Sequence, residues 1–118
     1  YSLSQGITHL NDKNSSFNMQ TASGVTSSSA FILAVFTAHF NSMSAGNQCQ
    51  VGFANNNDTV LEYTRHQICA HASGDIFLQS VALIPGTVAI AHPYVYFTAT
   101  GTKSVECYLY YKPLYFEA

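Results

Sequence analysis

From residue 30 onward the chain alternates between short apolar runs and clusters of Gly, Pro, Asn and Ser, the rhythm of strands joined by turns. The run Ala30-Phe31-Ile32-Leu33-Ala34-Val35-Phe36-Thr37-Ala38-His39-Phe40 is apolar on both faces, so its period does not separate strand from helix. Its Phe, Ile, Val and Thr content predicts a strand covered on both sides, with a buried helix as the alternative. A turn over 42–47, centred on Ala45-Gly46-Asn47, leads into 48–54, where Cys49, Val51 and Phe53 face one way and Gln48, Gln50 and Gly52 the other. Asn55-Asn56-Asn57-Asp58 is a strong turn signal, because Asn and Asp tolerate left-handed φ and bond their own backbone.

A strand is predicted over 59–66, with Leu61 and Tyr63 on one face and Glu62 and Thr64 on the other; 67–72 continues it or bends away. After the turn Ser73-Gly74-Asp75, residues 76–84 read as a long strand stopped by Pro85-Gly86. Residues 88–91 lead to His92-Pro93, where proline interrupts pairing. Strands 94–99 and 104–111 are expected to fold back on each other as a hairpin through Thr100-Gly101-Thr102; Pro113 ends the second, and 114–117 close the chain. The first 24 residues are polar, with extended pieces near 3–10 and 16–21, and Ser23-Gly24-Val25-Thr26-Ser27-Ser28-Ser29 reads as a flexible connection. About eight strands at this spacing predict an all-β fold, an antiparallel β-sandwich or jelly roll. The length predicts one domain, with 1–24 as junction and N-terminal strands and 25–118 as the sandwich head.

Composition sharpens this picture. Charged residues are 8% of the chain, against about a quarter for an average domain. With 4 Lys+Arg and 6 Asp+Glu there is no basic patch to neutralise phosphates, so nucleic acid is excluded as a partner. A hydrophobic content of 47% excludes disorder. So few charges give little colloidal repulsion, and protomers should associate. Cys49, Cys69 and Cys107 match no zinc spacing and no disulfide framework; they read as small buried hydrophobes in a reducing compartment, with one disulfide plus a free thiol as the alternative. Asn14-Ser15-Ser16 and Asn57-Asp58-Thr59 are glycosylation acceptors that arise easily by chance in such a chain. No 18-residue apolar stretch and no signal peptide are visible, so membrane insertion is not expected. A chain opening at Tyr1 without Met is expected to be a piece of something longer.

Catalytic signatures are lacking. There is no nucleophile elbow, no glycine-rich phosphate loop and no His-Glu-x-x-His or paired-cysteine pattern. His9, His39, His66, His71 and His92 read as scattered strand and loop residues, and Asn55-Asn56-Asn57-Asp58, with one carboxylate, as a solvated turn rather than a calcium loop. Asp58, Glu62, Asp75, Glu106 and Glu117 look like ordinary surface charges. The expectation is a protein that is not an enzyme and uses no metal or cofactor.

The tyrosines say more. Tyr94, Tyr96, Tyr108, Tyr110, Tyr111 and Tyr115 crowd the last quarter, where Tyr94/Tyr96 and Tyr108/Tyr110 could pair across the expected hairpin. They fit an ordinary core, or an interface at which tyrosine gives large contact area and keeps a polar tip. In the second reading Tyr94, Tyr96, Tyr108 and Tyr110 are the interface residues. Recognition falls to the turns, with Asn55, Asn56, Asn57, Asp58, Asp75 and Lys103 as candidate contacts. Arg65, the single arginine, is a further candidate anchor or a structural partner of Glu62 or Asp58.

The stretch Gly74-Asp75-Ile76-Phe77-Leu78-Gln79-Ser80-Val81-Ala82-Leu83-Ile84-Pro85-Gly86, followed by Val105-Glu106-Cys107-Tyr108-Leu109-Tyr110-Tyr111, resembles the C-terminal half of small trimeric jelly-roll heads. It looks like the viral fibre heads of adenovirus-like attachment knobs and, more distantly, like tumour-necrosis-factor/C1q-like heads. The resemblance implies a homotrimer at the end of a shaft, on the virion surface and assembled in a reducing host compartment, that binds a host-cell receptor, protein or glycan. The alternatives are a carbohydrate-binding module or lectin, which would be expected to use Trp where this chain has none, and an extracellular TNF/C1q-like ligand.

Overall fold

The computed structural model describes residues 1–10, 19 and 30–115. They form an all-β antiparallel fold, a sheet nearly closed on itself as a sandwich. Its strands are β1 (Ser2–His9), β2 (Ala30–Met43), β3 (Gln48–Ala54), β4 (His66–Cys69), β5 (Gly74–Pro85) and β6 (His92–Tyr115). The order is β4-β3-β6-β2-β5, with β1 alongside β6. Six strands among the described residues replace the expected eight. The predicted piece at 16–21 and the connection at 23–29 lie outside the described residues apart from Met19, which is buried.

The missing hairpin accounts for much of the difference. Residues 94–99 and 104–111 belong to one 24-residue strand, β6, running straight through Thr100-Gly101-Thr102. Gly101 sits at φ +84°, where a side chain would be strained, so it supplies a bend in place of a reversal. Before the bend β6 pairs with β3, from Ala54↔His92 to Cys49↔Phe97; beyond it β6 pairs with β2, from Phe40↔Val105 to Ala30↔Tyr115. Between Ser4↔Thr102 and Gly6↔Phe97, β6 spends five residues where β1 spends two, and this bulge carries the turn between the two halves. Tyr94/Tyr96 and Tyr108/Tyr110 therefore lie on opposite halves of one strand and do not pair with each other. Pro93 and Pro113 both lie inside β6; at Pro113 β6 pairs with β2 alone among the described strands, and with its other side unpaired a missing N–H is tolerated.

The helical alternative for 30–40 is rejected by the ladder on both sides of β2. Even-numbered residues of β2 point inward: Ala30, Ile32, Ala34, Phe36, Ala38 and Phe40 are all buried. Phe36 meets Phe53 and Phe40 meets Phe97 edge-to-face, each at 6.2 Å, clasping the β2 half onto the β3–β6 half. Each such ring contributes roughly 2–3 kcal/mol by leaving water.

Strand β3 is covered on both faces, not one. Gly52 lies opposite Tyr94, whose ring covers it, and the Tyr94 hydroxyl donates to Gln50 Oε1 at 2.7 Å. A Cβ on Gly52 would stand 2.9 Å from Tyr94 Cε1 and 3.2 Å from Thr64 Oγ1, so the residue is glycine for space. The expected strand over 59–66 is replaced by a single bridge at Val60 and a 3₁₀ turn, Glu62–Thr64. Thr64 is the cause. Its buried hydroxyl accepts the Phe53 N–H at 2.9 Å and donates to Leu61 O at 2.6 Å, closing the chain into a turn and leaving Tyr63 exposed.

Candidate functional site

The half of the sheet made by β5, β2 and the second half of β6 has a core face and an outer face. Alternation places Leu33, Val35, Thr37 and His39 of β2 on the outer face. Register then builds rows across it: Leu83–Leu33–Lys112, Val81–Val35–Tyr110, Gln79–Thr37–Tyr108 and Phe77–His39–Glu106. Phe77 is 72% exposed, Val81 60%, Tyr108 73% and Tyr110 58%. With Leu83, these side chains present on the order of 500 Å² of contiguous apolar and aromatic surface. A patch of that size on a small domain marks a contact surface.

At one end of this face lies a groove of about 460 Å³, lined by Thr37, His39, His66, Phe77, Gln79 and Tyr108. The His39 ring stacks on Phe77 at 4.2 Å, and its Nε2 lies 2.9 Å from Asp75 Oδ2. The Asp75 carboxyl is held below the usual carboxylate range, first by the Ser42 N–H donating to Oδ1 and then by His39. His66 Nδ1 donates to Gln79 O at 2.8 Å, which fixes its ring. These residues come from β2, β4, β5 and β6, so no local motif announced them.

The candidate residues read from sequence separate into several places. Tyr108 and Tyr110 lie on the outer face. Tyr96 is half-buried on the other half of β6. Tyr94 is corrected: it is fully buried inside the protomer, its phenol pushed up to about 12 chiefly by that burial, and it offers no surface to a partner. Asn56 and Asn57 are exposed at a turn tip. Asn55 is spent on the turn, its Oδ1 accepting the N–H groups of Asn57 and Thr59. Arg65 Nε is 3.2 Å from Glu62 Oε2, the structural-partner alternative. Asp75 and Lys103 meet at Ser42, whose N–H donates to the former and whose carbonyl accepts from Lys103 Nζ at 3.0 Å. The expected recognition residues thus fall into an Asn turn at the start of β6 and a polar knot near its bend.

The cysteines divide as well. All three are free thiols. Cys49 is fully buried and Cys107 partly so, and burial pushes each thiol up to about 11, which keeps both protonated and poorly nucleophilic at neutral pH. Cys69 is exposed, correcting the expectation that all three are buried.

A second cluster was invisible in the sequence. His9, at the end of β1, pairs with Tyr94, two residues along β6 from His92 and on the same face. His92 pairs with Ala54, the residue from which the Asn turn springs. Asp58, at φ +58°, closes that turn and swings its carboxylate back toward both rings. Asp58 is therefore no simple solvated loop residue, and His9 and His92 are not scattered.

Comparison with protein-family models, curated proteins and solved structures finds no match.

Proposed function

We propose that this chain is the head of a homotrimeric attachment protein of the viral fibre-head kind. Copies pack through the outer face of β5, β2 and β6, and the exposed turns grip a host-cell receptor, protein or glycan. The protein has no catalytic role in this reading. The outer face carries the proposal: a sandwich with so few charges holds Phe77, Val81, Leu83, Tyr108 and Tyr110 in water on one side. An apolar patch of about 500 Å² matches the non-polar share of a standard interface, near 800 Å² per partner and a little over half apolar. At about 25 cal/mol per Å² its burial is worth roughly 12 kcal/mol per face, comparable to the cost of association. Polar turns such as Asn56-Asn57 lie outside this face and stay available for recognition.

Sedimentation equilibrium combined with cell-binding and glycan-array assays tests the proposal. A trimer that binds cells, with binding reduced by changes at Asn56 and Asn57, is expected. The groove beside His39, Phe77 and Tyr108 favours a second reading, a monomeric lectin using its aromatic walls on sugar rings. A monomer that binds glycans and loses them on Tyr108→Ala would establish that reading and refute the trimeric head.

A further inference from the structure

We infer that His9, Asp58 and His92 form a binding site for one divalent transition-metal ion of the zinc class, independent of the assembly surface. Three potential ligand atoms converge there: His9 Nδ1 lies 2.9 Å from His92 Nε2 and 3.7 Å from Asp58 Oδ1, and His92 Nε2 lies 3.2 Å from the same oxygen. All three fall within 4.8 Å of one another. At a tetrahedral zinc with bonds of about 2.0–2.1 Å, neighbouring ligand atoms stand about 3.3–3.4 Å apart, the middle of the observed range.

Proton placement argues the same way. His92 Nδ1 is 2.8 Å from the Ile90 carbonyl, which only accepts, so Nδ1 carries the hydrogen and the neutral ring presents a bare Nε2 to the cluster. Such a carbonyl partner behind the ring is how metal-bound histidines are oriented. Asp58 Oδ1 is buried and, although 3.2 Å from that nitrogen, accepts no hydrogen bond of adequate geometry among the described residues. A proton on His9 Nδ1 joins the two rings but leaves this oxygen unanswered, whereas a cation answers all three atoms. His92 and Asp58 Oδ1 are buried while the rest of the Asp58 carboxylate side chain is partly open; with three protein ligands, a water would supply the fourth position of a tetrahedral shell. Two imidazoles and one carboxylate suit zinc and its neighbours over calcium or magnesium. A bound ion would staple the end of β1, the Asn turn and the start of β6.

The test is titration of chelator-treated protein with Zn2+ and with Co2+, followed by calorimetry, cobalt absorption and thermal melting. The expected results are one equivalent bound, a cobalt spectrum of nitrogen and oxygen ligands, and a melting temperature raised by about 5 °C or more. Asp58→Asn and His9→Gln should each weaken binding by about tenfold or more and abolish the melting shift, while His71→Gln, at an exposed bend, should change neither. Asn tolerates the left-handed turn position, so Asp58→Asn keeps the test valid if His9→Gln fails to fold. Absence of binding, equal binding by Asp58→Asn, or a spectrum dominated by thiolate-to-cobalt charge transfer from the cysteines would each overturn the assignment.

Discussion

Val81→Glu puts the assembly face to a quantitative test. Val81 lies in the second row, opposite Val35 and across β2 from Tyr110. Because it is 60% exposed, the folded protomer gains little from it: less than half of the roughly 1.5–3 kcal/mol of a full burial, or about 1 kcal/mol at most. The substitution should therefore leave a folded protomer. Inside an interface the carboxylate would be stripped of water with no cation of the described residues in its row, since Lys112 stands one row away on the far side of β2. An unpaired charge in such a place costs several kcal/mol. At 1.4 kcal/mol per tenfold, association should weaken by about 100-fold or more at each interface. Sedimentation equilibrium across a concentration series reads this directly, and circular dichroism confirms that the protomer is folded. Tyr108→Glu, at a residue 73% exposed, gives an independent variant should Val81→Glu unfold. If both variants fold and assemble as strongly as the parent, the outer face is not the contact surface.

Gly52→Ala should cost about 1–3 kcal/mol of stability, measured by chemical denaturation, because the added methyl meets the buried Tyr94 ring at 2.9 Å; an unchanged midpoint would show that the ring moves freely. Thr64→Val keeps the shape but strands the Phe53 N–H, and should cost about 1–3 kcal/mol in the same assay. Alkaline pH should destabilise the fold. The Cys49 thiol ionises near 9 when unfolded and is pushed up to about 11 when folded, so the folded chain keeps a proton that the unfolded chain releases. This contribution is complete below pH 9 and is lost as pH rises toward 11, at up to about 1.4 kcal/mol per pH unit. Melting temperatures should fall across that window, and less steeply in Cys49→Ala; identical slopes would remove Cys49 from the account.

The strand rhythm of β2, β3 and β5 was legible because turn residues bracket each run and strand formers fill it. What misled was residue chemistry with two uses. Gly101 supplies positive φ for a tight turn or for a bend inside a strand, and only pairing with β1, β2 and β3 decides which. Thr64 favours strands by its β-branch, yet its hydroxyl closes a 3₁₀ turn once Phe53 lies beside it. The outer face was half legible: the C-terminal tyrosines suggested an interface, but their sorting into core Tyr94 and exposed Tyr108 and Tyr110 depends on β6 being one strand. In β5 both faces are apolar, so alternation alone did not show which looks outward. The His9–Asp58–His92 cluster was not legible, because 83 residues separate the two rings and only the β1–β6 and β3–β6 registers bring them to the same end of the fold.

Side-chain footprinting of the tyrosines as a function of protein concentration addresses the buried-face account most directly. Tyr63, Tyr108 and Tyr110 are all exposed in the protomer. Tyr108 and Tyr110 should become protected as the protein is concentrated, while Tyr63, which belongs to the 3₁₀ turn and not to the rows of the outer face, keeps its rate. Equal modification of all three at every concentration would contradict it.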